Sequence, residues 1–224
     1  MNMVKVKICG ITSAEDAILA VESGADMVGF IIDVPVDTQR KVSLEKAIEI
    51  SKDIGSVVAV LMPRSAGEVL RVVRELKPYA VQLHGYEPNG FVREVKSSIP
   101  KETKIIKTVH INLGGDVKCP EDISGYLEDL EKIADFVLLD TVTFREGGTG
   151  MTHDWTISRR IKDKIGLPII LAGGLTPENV SRAVNVVKPY AVDVASGVEF
   201  CPGKKDQSKV KSFIKSAKEV KSCT

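Results

Sequence analysis

The stretch Val4-Lys5-Val6-Lys7-Ile8-Cys9-Gly10-Ile11-Thr12 alternates with the two-residue period of a β-strand until Gly10 breaks it. Cys9 therefore falls at the strand's carboxyl end, beside a glycine turn. A thiol in mid-strand is ordinarily a small buried hydrophobe, whereas a thiol at a strand end stands where many α/β proteins keep their chemistry. Which of the two applies depends on what surrounds this strand.

Seven further β-branched, apolar runs follow: Met27 to Ile32, Val57 to Met62, Ala80 to His84, Lys104 to Val109, Phe136 to Asp140, Pro168 to Ala172 and Ala191 to Ser196. The intervening segments space their apolar residues helically, as in Ala14 to Ser23, Leu44 to Asp53, Ala66 to Leu76 and Pro177 to Val187. Ser13 with Asp16 and Ser43 with Lys46 read as helix N-caps, and Pro177 after Thr176 fits a first helical position. Eight βα units in 224 residues predict an α/β fold, a single (β/α)8 TIM barrel over residues 1–224, with its site at the carboxyl ends of the strands. The alternative, an open doubly wound sheet, lacks a Gly-x-Gly-x-x-Gly after the first strand. Lys77-Pro78-Tyr79-Ala80-Val81 recurs as Lys188-Pro189-Tyr190-Ala191-Val192, entering the fourth and eighth strands, as two similar half-barrels would require.

Composition narrows the partners. Lys+Arg 31 against Asp+Glu 30 leaves no basic field for nucleic acid or an anionic membrane, so a small molecule is expected. No apolar stretch approaches the roughly 20 residues of a membrane span, and no signal-peptide core opens the chain, which together point to the cytoplasm. Cys9, Cys119, Cys201 and Cys223 are scattered, and with 3 histidines in the chain they suggest neither a metal site nor a disulfide scaffold. The longest loop after a strand, Thr141 to Asp154 with Gly147-Gly148-Thr149-Gly150, suits a lid or a surface insertion. Lys209 to Lys221 reads as a closing amphipathic helix.

The strand ends gather Cys9, Asp33, His84, Asp140, Gly173-Gly174 and Ser196-Gly197 on one rim. Glycines after the seventh and eighth strands let backbone N–H groups approach an anion, so Gly173, Gly174, Ser196 and Gly197 imply a phosphorylated substrate. A thiolate at Cys9 could take a proton from carbon while a protonated Asp140 gives one to oxygen, the pairing of an aldose–ketose isomerase. Cys9 as core and Asp140 as a capping carboxylate is the alternative. Lys7 shares a face with Cys9, so it enters the barrel and needs a carboxylate, for which Asp193 on the neighbouring eighth strand is the expected partner. Arg40, after the second strand, could clamp a substrate carboxylate or lie exposed.

Read in order, Lys7-Ile8-Cys9-Gly10-Ile11-Thr12, Val81-Gln82-Leu83-His84-Gly85, Leu138-Leu139-Asp140, Gly147-Gly148-Thr149-Gly150, Leu171-Ala172-Gly173-Gly174-Leu175-Thr176-Pro177-Glu178-Asn179-Val180 and Val192-Asp193-Val194-Ala195-Ser196-Gly197-Val198-Glu199 resemble the phosphoribosylanthranilate isomerases, (β/α)8 enzymes of tryptophan biosynthesis. The resemblance spans essentially the whole chain. It implies a cofactor-free Amadori rearrangement with Cys9 as general base and Asp140 as general acid. It places Arg40 on the anthranilate carboxylate, Gly173, Gly174, Ser196 and Gly197 on the phosphate, and His84 in the lining of the site. Two departures are local: Thr38-Gln39 where the family commonly has Ser-Pro, and Met151-Thr152-His153-Asp154-Trp155 where it often has Lys-Thr-Phe-Asp-Trp. Monomer and homodimer are both open. The competing readings are another phosphosugar enzyme, an epimerase or an indole-glycerol-phosphate synthase for which Lys107 is the mid-chain lysine, and a non-catalytic phosphate-binding barrel. Binding alone needs neither Cys9 nor Asp140.

Overall fold

The alternating strand and helix signals become a closed barrel in the computed structural model, which describes residues 3–118, 123–142 and 152–220. Its strands are β1 (Lys5–Cys9), β2 (Met27–Ile32), β3 (Val57–Leu61), β4 (Ala80–Leu83), β5 (Lys104–Asn112), β6 (Phe136–Val142), β7 (Ile169–Leu171) and β8 (Ala191–Val194). Each pairs in parallel with the next, and β1 closes the ring by pairing with both β2 and β8. The helices are α1 (Ala14–Glu22), α2 (Leu44–Ser51), α3 (Ala66–Leu76), α4 (Asn89–Ser98), α5 (Ile123–Ile133), α6 (Trp155–Lys164), α7 (Val180–Val187) and α8 (Gln207–Lys218). No helix among the described residues is long and apolar enough to cross a membrane.

Strand parity divides the core in two. Met27, Val58, Val60, Ala80, Ile106, Phe136, Leu138, Ile170 and Ala191 fill the barrel interior, with Cys9 in the same cluster. The alternate residues, such as Val6, Ile8, Val28, Phe30, Val81, Val137 and Val192, pack outward against the helices. Strands buried on both faces are near-continuously apolar, which is why eight β-branched runs were visible in the sequence. Lys107 has outward parity. Its ammonium donates to Glu87 at 2.6 Å and to the Gly85 carbonyl at 2.8 Å, both in the loop between β4 and α4, so it is engaged outside the barrel interior.

The helix starts follow local chemistry. Ser13, Ser43 and Ser65 each accept from the amide three residues on, at Asp16, Lys46 and Glu68. The expectation that Pro177 opens α7 is corrected: the helix starts at Val180, and Thr176 to Asn179 form a turn. Asn179 holds that turn by accepting from the Thr176 amide at 2.8 Å and donating to the Gly174 carbonyl at 2.9 Å. β5 outruns its expected end at Val109 because Val117–Lys118 folds back antiparallel on His110 and Ile111. The motif Gly147-Gly148-Thr149-Gly150, Met151 and the cysteines Cys119 and Cys223 lie outside the described residues.

The repeated pentapeptide marks two equivalent corners at the lower rim. Lys77 and Lys188 both take the left-handed conformation, at φ 50° and 51°, ending α3 and α7. The Tyr79 carbonyl then accepts from Lys104 at the start of β5, and the Tyr190 carbonyl accepts from Lys5 at the start of β1, both at 3.0 Å. A carboxylate repeats with them: Asp26 accepts from the Val6 amide and Asp135 from the Ile105 amide, both at 2.9 Å. Each carboxylate also pairs with two lysines, Lys5 and Lys218 for Asp26, Lys96 and Lys104 for Asp135.

Candidate active site

β1 carries the first element of the site. Lys7 and Cys9 share its inner face, and Lys7 is fully buried with its ammonium 3.0 Å from Asp193 Oδ1, its register partner on β8. The expected partner is the observed one. Room for both side chains comes from Gly29 on β2, the register partner of Cys9. A Cβ at Gly29 would lie 2.8 Å from Cys9 Sγ and 3.1 Å from Lys7 Nζ, so thiol and ammonium converge on the space a side chain would occupy. Burial pushes the Cys9 thiol up from its ordinary pKa, with the Lys7 ammonium opposing and Asp193 reinforcing the shift. Burial disfavours the charge on Lys7, yet Asp193 and Cys9 outweigh it and hold that ammonium above the usual lysine range.

Across the mouth, Asp140 sits near the end of β6. Its pKa is raised to about 7, first by burial and then by the Asp193 carboxylate, against the Thr141 amide and Lys7, which lower it. One buried ion pair, Lys7 with Asp193, thus acts on both candidate catalytic groups. His84 follows β4 with Nε2 3.7 Å from Asp140 Oδ2, too long for a hydrogen bond. Burial and the neighbouring His110 push His84 down to about 3, so it is neutral although 32% of its side chain remains exposed. Gln82 and Thr108 contact its Nδ1 at 3.1 and 3.2 Å and fix the ring.

His110 is a site residue the sequence reading missed. Its Nε2 lies 3.0 Å from the His84 carbonyl, to which it can only donate, and its Nδ1 lies 4.0 Å from Asp140 Oδ2. The rings of His84 and His110 meet edge to face at 5.2 Å. His153 answers for one departure from the family pattern. Buried at 2% exposure, it bridges Thr141 Oγ1 at 2.7 Å and Ser158 Oγ at 2.6 Å, tying the start of α6 to the residue after Asp140.

The expected phosphate loops come together. Gly173 and Gly174 adopt φ of 83° and 66°, in the left-handed region. A Cβ on Gly173 would run into the Thr141 backbone, and one on Gly197 into the Leu175 carbonyl oxygen. These glycines therefore let the β7 loop pack against both β6 and the single 3₁₀ turn Ser196–Val198 after β8. Asp33 stands at the rim as expected, directly after β2, and at φ 48° its carboxylate accepts from Leu44 N at the start of α2.

Arg40 lies on the same rim but is not loose. Its side chain passes within 3.2–3.4 Å of where a Cβ on Gly10 would be, directly after Cys9. Its guanidinium donates side-on to Glu199, from Nε at 2.9 and 3.1 Å and from Nη2 at 2.7 Å. Thr38 serves the turn in place of the family's Ser-Pro, its Oγ1 accepting from the Arg40 amide at 3.3 Å. Among the described residues, no group of three or more His, Cys, Asp or Glu side chains is arranged to hold a metal ion.

The whole chain has counterparts among known proteins. Residues 6–216 match the family described as N-(5'phosphoribosyl)anthranilate (PRA) isomerase. A relative from Methanocella arvoryzae named N-(5'-phosphoribosyl)anthranilate isomerase is 42% identical over 98% of this chain and 100% of its own. The crystal structure of the Thermotoga maritima phosphoribosyl anthranilate isomerase superposes with a TM-score of 0.82 at 41% identity, covering 96% of this chain and 99% of that one. A further isomerase structure, solved with reduced 1-(o-carboxyphenylamino)-1-deoxyribulose 5-phosphate, gives a TM-score of 0.78 at 38% identity over 96% of this chain and 99% of its own. Fold, chain length and sequence agree from end to end, and the chain belongs to the N-(5'-phosphoribosyl)anthranilate isomerase family.

Proposed function

We propose that this chain isomerises N-(5'-phosphoribosyl)anthranilate to 1-(o-carboxyphenylamino)-1-deoxyribulose 5-phosphate, in tryptophan biosynthesis, with Cys9 as general base and Asp140 as general acid. The loops around Gly173, Gly174, Ser196 and Gly197 take the phosphate, Arg40 takes the anthranilate carboxylate, and His84 lines the space beside Asp140. The carboxyl of Asp140 gives its proton to the ribose ring oxygen, and the C1–O bond breaks as the anthranilate nitrogen forms a Schiff base. The Cys9 thiolate then removes the proton on C2, and the bonding pair moves toward nitrogen to give an enolamine, which tautomerises to the ketone.

The observation that carries this reading is the buried Lys7–Asp193 pair, reaching Cys9 and Asp140 from below in a single barrel mouth. Lys7 offsets the cost of a buried thiolate, and Asp193 helps keep Asp140 protonated. A phosphate-binding barrel has no use for either adjustment. A substrate carrying both a phosphate and a carboxylate does not cross membranes unaided, which supports a cytoplasmic site for the reaction.

The test follows the fluorescence of freshly made phosphoribosylanthranilate with wild type, Cys9→Ala and Asp140→Asn, each checked for native circular dichroism. Turnover by wild type and a loss of about 10³-fold in each folded variant are expected. Binding without turnover by wild type would favour the non-catalytic barrel.

A further inference from the structure

Glu199 is quoted in the last sequence motif, but nothing in the acid–base chemistry uses it. It begins a two-stranded ribbon, Glu199–Cys201 against Lys204–Lys205, which follows β8 and turns through Gly203. The ribbon is fastened to the rim around Arg40. Gly203, at φ 80°, lies so close to the Gln39 carbonyl that a Cβ would stand 2.6 Å from its oxygen, and the Gly203 carbonyl accepts from Thr12 Oγ1 at 2.6 Å. Glu199 itself is 6% exposed. Both of its oxygens accept from the guanidinium of Arg40, and Oε1 also accepts from Lys205 Nζ at 3.0 Å. Lys205, with a fully buried side chain, also donates to the Ala195 carbonyl at 3.2 Å, one residue before the Ser196 turn.

Three features make this a strut rather than an incidental ion pair. The carboxylate stays ionised: burial works against it, but Arg40 and Lys205 hold it below the usual glutamate range. The pairing with Arg40 is side-on, through Nε and Nη2, so the end edge formed by Nη1 and Nη2 is left for a second carboxylate. Finally, the chain Arg40–Glu199–Lys205–Ala195 O joins the arginine to the loop assigned to phosphate, fixing the spacing between the two anion sites.

The geometry points to Glu199 as the positioning residue of substrate recognition: held by Lys205, it aims the end edge of Arg40 at the carboxylate of the aromatic ring and sets its distance from the phosphate. This rests on the reading of Arg40 as the carboxylate clamp. An arginine free to rotate must be ordered on binding, whereas one gripped along one edge has already lost that freedom. Glu199 therefore acts through Arg40 on binding, not on proton transfer.

The experiment measures KM and kcat for phosphoribosylanthranilate, and Ki for inorganic phosphate, in wild type, Arg40→Ala, Glu199→Gln, Glu199→Ala/Lys205→Met and the triple variant. Removing Glu199 and Lys205 together avoids burying a lysine without its partner. Arg40→Ala tests the clamp itself, and an unchanged KM there would reject the clamp whatever Glu199 does. With the clamp upheld, Glu199→Ala/Lys205→Met raises KM by about 10- to 100-fold, the worth of a charge-assisted hydrogen bond, while kcat and the phosphate Ki move less than about threefold. Glu199→Gln keeps one acceptor oxygen and costs about threefold to tenfold. Adding Arg40→Ala to the double variant raises KM no further than Arg40→Ala alone. If KM is unchanged in the Glu199 variants, or rises as much without Arg40 as with it, or rises together with the phosphate Ki, the assignment is overturned. Should the double variant not fold, Glu199→Gln decides by the same criteria.

Discussion

The two rims of the barrel treat the same internal symmetry in opposite ways. At the lower rim, Asp26 and Asp135 do identical work half a barrel apart, each accepting a strand amide and pairing with two lysines. At the upper rim the equivalence is gone: β1 ends in Cys9, whereas β5 runs on through Thr108 and His110. Carboxylates below have their pKa lowered despite partial burial, because lysines and amides outweigh it, while Asp140 above is raised to about 7. Ion pairs that complete a corner are free to repeat. Groups that must exchange protons are not, because each needs its own field.

That contrast can be broken most forcefully at Lys7, the point where a lysine enters the chemical half. Lys7→Met leaves Asp193 buried without its cation and is expected to cost about 3–5 kcal/mol in urea unfolding. Lys7→Met/Asp193→Leu should recover most of that stability without recovering turnover, since the thiolate has lost its counter-charge. Full activity in the double variant would mean that the pair matters to folding alone.

A smaller effect is expected below. Asp26→Asn and Asp135→Asn should each cost about 1–3 kcal/mol and leave kcat unchanged. Because both carboxyls are lowered on folding, the stability they supply is complete above pH about 4 and fades as the pH falls through their native values. Unequal losses would show that the two corners are alike in geometry only. Asp140 has the opposite sign. Its native pKa exceeds the unfolded value, so its contribution is full below pH about 4 and is lost as pH rises toward about 7. Asp140→Asn is therefore expected to be more stable than wild type by up to about 4 kcal/mol at pH 8, with the gap closing at pH 4.

Gly29→Ala adds a single methyl group. Its methyl would press on Cys9 Sγ and Lys7 Nζ, lowering kcat about tenfold while costing about 1–3 kcal/mol as an overpacked site. A normal kcat would show that the space between thiol and ammonium is not tuned.

The barrel was legible in the sequence because strands buried on both faces are apolar throughout, and because parity alone puts Lys7 beside Cys9 and opposite Asp193. The glycines were legible where a loop must pass another without side chains, as at Gly173 and Gly197. What escaped depended on contacts distant in the chain. Arg40 and Glu199 are 159 residues apart, joined only because the ribbon beyond β8 folds back over the β2 loop. His110 fell past the expected end of β5, although the inward series Ile106, Thr108, His110 continues the same parity. Asp33 was legible as a rim residue, but its bond to the start of α2 was not, because it depends on a left-handed backbone at φ 48°. Pro177 carried a helix-start signal that the Asn179 turn overrode.

The measurement that bears most directly on the acid–base pair is the pH dependence of kcat/KM for phosphoribosylanthranilate from pH 5 to 10. With Asp140 titrating near 7 and Cys9 above the ordinary thiol range, the active form has the acid protonated and the base ionised against their natural order. Below pH about 7, the thiolate fraction and the rate both grow tenfold per unit. Above it, loss of protonated Asp140 cancels that growth and a plateau extends to the thiol's own titration. A rise to a plateau that bends near pH 7 is the predicted result. A rate already flat at pH 5 that falls above pH 7 would mean that Cys9 is ionised throughout, contradicting the account of a buried thiol only partly offset by Lys7.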